Sequence, residues 1–237
     1  MMALDSLGHE LTAAEFADWV YERLAEAYGV PKWEPRHDAM GELIATILSQ
    51  HTSDANSERA YASLRQRFPT WEAARDADEA DLADAIRSGG LANVKARSIQ
   101  AVLRALTERD PEAPFALRWL DPTDDDHARA HLTALPGVGM KTASCVLLFA
   151  LGRPAFPVDT HVNRVAHRLG LLAANVSASA AHTVLERIVP PERRYALHIN
   201  LIQHGRHVCH AQRPACERCV LRARCAWYWA NRQAEHA

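Results

Sequence analysis

Lysine is scarce in this sequence: of 27 basic residues only Lys32, Lys95 and Lys141 are lysine, and the rest are arginine. Long hydrophobic runs are missing too. The longest, Cys145 to Leu151, falls far short of the ~20 apolar residues that cross a bilayer, which predicts a buried helix and no membrane partner. Met1 to Glu10 has neither a basic start nor an apolar run, so no secretion signal is expected and the chain reads as cytoplasmic. No stretch longer than a few residues alternates as a half-buried strand does, which leaves an all-α class. A basic excess is also lacking. The formal charge of −2 and isoelectric point near 6.7 argue weakly against a nucleic-acid partner.

Charge is nevertheless unevenly spread. Asp121, Asp124, Asp125 and Asp126 form an acidic run, read as a solvated loop and helix start, whereas Arg206, Arg213, Arg218, Arg222 and Arg224 face only Glu217 between positions 206 and 224. The 237 residues suffice for one large domain or two modest ones. Thr12 with Glu15 resembles a capping box, and Phe16, Trp19, Val20 and Leu24 form the apolar stripe of the helix that follows. Apolar periodicity predicts further helices near 38–50, 54–67, 71–75, 79–88, 93–108, 125–134, 140–151, 159–170, 177–188 and 192–206. Gly or Pro marks their connections at Gly89-Gly90, Pro136-Gly137, Gly152 to Pro154 and Pro190-Pro191.

Four segments carry chemistry. Leu135-Pro136-Gly137-Val138-Gly139-Met140-Lys141-Thr142-Ala143 joins two predicted helices, and its glycines allow a tight positive-φ turn that aims backbone N–H groups outward at a helix start. Such a terminus attracts anions, a DNA phosphate among them. Lys141 lies in the first turn of that helix, where the positive end of the dipole disfavours a second positive charge; a neutral amine is a nucleophile, and arginine has no equivalent form. The plain alternatives are an ordinary turn and a lysine paired with phosphate. Eighteen residues on, Phe156-Pro157-Val158-Asp159-Thr160-His161 delivers one carboxylate to another helix start, where an N-cap is the plain reading of Asp159. Cys209, Cys216, Cys219 and Cys225, separated by six, two and five residues, put soft thiolates close together; the spacing fits zinc or iron–sulfur equally, and Cys145 reads as a buried core thiol.

In combination and order these motifs resemble the endonuclease III family of helix-hairpin-helix DNA glycosylases, from about residue 34 to 228. The resemblance implies a six-helix domain over 33–153, and an iron–sulfur domain built from 1–32 and 154–237. It implies that Gly137, Val138 and Gly139 hold backbone phosphate, that Lys141 attacks the sugar C1′ of an extruded nucleotide, and that Asp159 assists deprotonation and stabilises the charge developing on the sugar. The Schiff base then permits β-elimination. Expected substrates are oxidised pyrimidines and abasic sites in duplex DNA, and the expected cofactor is one 4Fe-4S cluster on Cys209, Cys216, Cys219 and Cys225, which folds the loop carrying Arg213 toward phosphate. The hole left by extrusion would be filled from Gln50-His51 and from Gly90-Leu91-Ala92-Asn93-Val94-Lys95-Ala96, with Leu91 pressing into the opposite strand. Two departures stand out: His51 where the family usually has Gln or Asn, with Gln50 beside it as the alternative filler, and Gly89 where relatives carry a bulkier apolar residue. A monomer acting at the nucleoid is the family expectation. A monofunctional glycosylase for another lesion or mismatch, and a non-catalytic damage-binding paralogue, are the competing functions.

Overall fold

The structure, a computed structural model, describes residues 11–235, with side chains to Arg232; the reading of Met1 to Glu10 lies outside that range. Every regular element among the described residues is helical, and none of these helices is long and apolar enough to cross a membrane. The chain divides into two compact units, Glu34–Arg153 and Met1–Trp33 with Pro154–Ala237.

In the unit 34–153, α2 (Ala39–Ser49) is the central element. Met40, Leu43, Ile44, Ile47 and Leu48 are each at most 2% exposed, because α2 is packed by α3 (Asp54–Arg67), α6 (Ala92–Arg109), α8 (Met140–Cys145) and the π-helical turn Val146–Ala150 that continues α8. Each such side chain contributes ~1.5–3 kcal/mol of burial. Glu42 is wholly buried among them and is satisfied by Arg36 Nε at 3.0 Å and Thr46 Oγ1 at 3.1 Å. The unit has seven α-helices, α2 to α8, one for each helix that apolar periodicity predicts between 38 and 151; α4 (Trp71–Asp76) and α5 (Glu79–Ala85) are separate short helices, and α7 (Asp125–Thr133) leads to the turn before α8. Asp78 divides α4 from α5 by capping Ala80 N–H at 2.7 Å.

The other unit packs α1 (Ala13–Tyr28) with α9 (Thr160–Leu169), α10 (Ala178–Ile188), α11 (Arg194–His207) and α12 (Ala226–Glu235). The Thr12–Glu15 capping box is present, and Phe16, Val20 and Leu24 join Phe156, Val165, Leu185 and Leu201 in one core. α12 is an addition to the helices expected from periodicity.

Candidate active site and thiol cluster

The turn between α7 and α8 uses its two glycines differently. Gly137 has φ +71°, a left-handed value that excludes most other residues, whereas Gly139 is extended (φ −96°) and is the N-cap of α8 with no side-chain cap. A Cβ on Gly139 meets nothing within 4 Å. Val138 is 5% exposed and its N–H donates to Leu135 O at 3.1 Å, so it anchors the turn while Gly137 and Gly139 lie on the surface. Of the three residues expected to hold phosphate, Val138 thus has its N–H engaged within the turn, and Gly137 and Gly139 are the exposed ones. Lys141 follows in the first turn of α8, half-buried, between that surface and the buried Thr142 and Ala143.

Asp159 stands at the end of a buried approach, Ala155 to Val158, and caps α9: its Oδ1 accepts from Val162 N–H at 2.7 Å, leaving Oδ2 outside the cap. The plain reading of this carboxylate as an N-cap therefore holds. From the same helix Arg164 donates to Cys209 O (3.0 Å) and Gly205 O (2.8 Å), and Arg168 donates to His210 O (2.6 Å) and Ala211 O (2.8 Å). Two arginines thereby tie the helix that Asp159 begins to the loop that carries Arg213. Lys141 belongs to the unit 34–153 and Asp159 to the other.

Three residues singled out for DNA contact share an unusual backbone. His51 (φ 53°), Leu91 (φ 50°) and Arg213 (φ 46°) are three of the four non-glycine residues described with positive φ, and all three side chains are exposed. Such conformations cost about 1–3 kcal/mol each and gather at functional sites. Leu91 is 57% exposed, so it is not ordinary core. Gln50 caps the C-terminus of α2 and is half-buried.

Cys209, Cys216, Cys219 and Cys225 line one cavity with Arg168, Val208, Pro214 and Trp227, and none is in a disulfide. Burial pushes the Cys219 thiol up to about 11 and also raises Cys216 and Cys225. Cys219 Sγ lies 3.3 Å from His204 Nε2, His204 Nδ1 lies 3.0 Å from Tyr28 Oη, and Arg168 Nη1 lies 3.4 Å from Cys209 Sγ. His204 is 1% exposed, and burial holds it down to about 4. Among the described residues no three His, Cys, Asp or Glu side chains are arranged to hold a metal ion; the four thiols surround a space instead. Cys145 is buried, away from that cavity's lining.

Comparison with known proteins places this geometry. The family described as HhH-GPD superfamily base excision DNA repair protein matches residues 44–191. Endonuclease III of Sulfolobus acidocaldarius is 32% identical over 227 residues, covering 92% of this chain and 98% of that protein. An Arabidopsis thaliana protein named as a candidate DNA glycosylase is 37% identical over 164 residues, which is 69% of this chain and 55% of that longer relative. Among solved structures, a trapped endonuclease III–DNA covalent intermediate matches with a TM-score of 0.78 at 31% identity, over 94% of this chain and 99% of that one.

Proposed function

The chain belongs to the endonuclease III family of the HhH-GPD superfamily, and from that premise we propose that it is a bifunctional base-excision repair enzyme that removes oxidised pyrimidines from duplex DNA and nicks the resulting abasic site. One observation carries the reading: a lysine sits in the first turn after the Gly137–Gly139 turn, in a chain similar to an enzyme captured as a covalent intermediate with DNA. As the neutral amine, Lys141 Nζ attacks C1′ of the extruded nucleotide, the C1′–N bond breaks, and the base leaves with the electron pair and a proton. Asp159 receives a proton from the amine and offsets positive charge on the sugar, while its Oδ1 keeps α9 capped. Cleavage of the C1′–O4′ bond of the ring-closed adduct, with a proton passing to O4′, gives the Schiff base; loss of a C2′ proton then expels the 3′ phosphate by β-elimination and nicks the strand on the 3′ side.

Gly137 and Gly139 let a phosphate approach the start of α8; the open space at Gly139 supports this, because nothing inside the protein demands a glycine there. His51, Gln50 and Leu91 fill the vacated stack. The thiol set suits one 4Fe-4S cluster: four soft donors, none in a disulfide, line a common space and can each bind a different iron. Cys209, Cys216, Cys219 and Cys225 would hold it, and when bound it would anchor the segment 209–225 at four points. The enzyme acts as a monomer on damaged or abasic duplex, in the cytoplasm at the nucleoid.

The test incubates purified protein and Lys141→Gln with duplexes bearing thymine glycol, uracil or an abasic site, with and without borohydride. Wild type is expected to leave a covalent adduct and a nick, and Lys141→Gln to lose both by roughly 10²-fold or more. Base removal without an adduct would make the enzyme monofunctional, and an inert protein would make it a damage binder; either overturns the lyase reading.

A further inference from the structure

A second lysine takes no part in that chemistry. Lys95, in the first turn of α6, is 3% exposed, and its ammonium donates to Leu48 O at 2.7 Å and to Gly89 O at 2.8 Å. The two carbonyls close the helical turns that lead into different loops. Leu48 lies in the last turn of α2, just before Gln50 and His51, where backbone carbonyls have no partner within the helix and the dipole is negative. Gly89 closes the 3-10 turn Arg87–Gly89, two residues before Leu91.

Each loop ends in an exposed residue held in left-handed backbone, His51 and Leu91. Backbone of that kind persists only where its surroundings over-determine it, and Lys95 is the buried group that bonds both loops. The joint is close-fitting: a Cβ on Gly89 would stand 3.1 Å from Ala60 Cβ and 3.9 Å from Lys95 Nζ. Burial lowers the affinity of Lys95 for its proton, so a less costly apolar residue would serve if only the core needed filling.

We propose that Lys95 is a positioning residue that holds the Gln50–His51 loop and the Leu91 loop at one spacing, so that both enter the duplex together as a nucleotide is extruded. This rests on the reading of the two loops as DNA-facing.

The test compares wild type with Lys95→Met on two substrates: a thymine glycol in fully paired duplex, which must be extruded, and an abasic site in single-stranded DNA, which need not be. Extrusion costs a few kcal/mol, so losing part of its compensation should slow excision from the duplex roughly 10- to 100-fold. Nicking of the single strand should change less than about threefold. Fluorescence of a 2-aminopurine placed beside the lesion should rise less on binding than with wild type. If Lys95→Met does not fold, Gly89→Val, which crowds Ala60 and shifts the Gly89 carbonyl off the amine, should give the same split. Equal losses on both substrates, or none, overturn the proposal. A wild type without a borohydride adduct would instead sink the role given to Lys141, and the 2-aminopurine signal would still report on Lys95.

Discussion

Asp159 caps α9, and the proton transfer proposed for it would be a second job of the same carboxylate, separable from the first by substitution. Its Oδ1 accepts the Val162 N–H at 2.7 Å and so caps α9, a task asparagine does as well as aspartate; alanine loses about 1 kcal/mol there. Proton transfer needs the charge, which asparagine lacks. Asp159→Asn is therefore expected to unfold at the wild-type urea midpoint while single-turnover excision of thymine glycol falls by roughly 10²-fold or more. Asp159→Ala should lose the same activity and about 1 kcal/mol of stability besides. If the asparagine variant excises at the wild-type rate, the carboxylate is a cap and nothing more.

At the scale of elements, α9 and α11 are held in unusually close register by a glycine. A Cβ on Gly205 would stand 2.9 Å from His161 Cβ and 3.3 Å from Arg164 Nη2, and the Gly205 carbonyl accepts from that same Arg164. Gly205→Ala should force the helices apart and cost ~1–3 kcal/mol in urea denaturation; an unchanged midpoint would mean that α11 shifts freely. This contact is hidden in the sequence, where Gly205 reads only as a residue before the cysteines. Most helices were readable because apolar spacing and caps such as Asp124 and Ser177 mark them. α12 was not, since Trp227, Tyr228 and Trp229 run consecutively and mask a helical period. The π turn 146–150 has no Gly or Pro to announce it in an apolar run that reads as plain α-helix. The left-handed backbone at Leu91 and Arg213 was equally silent, because neither is a residue type that signals positive φ; His51 belongs to one of the types enriched there. Resemblance identified those side chains; only the fold shows how they are presented. The pairing of Lys95 with two loops is likewise a long-range fact, joining positions 48 and 95.

For the molecule as a whole, a net charge of −2 sits uneasily with a DNA partner, and the arginine-rich C-terminal segment does not fully relieve it. Much of that segment is engaged in contacts within the chain: Arg218 bonds His207 O, Arg222 pairs with Glu217 at 2.6 Å, and Arg224 lies 4.9 Å over the Trp19 ring. Arg213 is different, exposed at a left-handed turn of the loop that Arg168 holds. DNA affinity falls with salt in proportion to the phosphates contacted, about 0.9 in the log–log slope for each. Arg213→Ala is therefore expected to flatten the slope by about one unit, measured by fluorescence anisotropy between low and moderate salt. Arg224→Ala should leave the slope alone and instead lower stability by ~0.5–2 kcal/mol through the lost contact with Trp19. A loop that touches no phosphate would give both variants the wild-type slope, and the arginine-rich segment would then be structural from end to end.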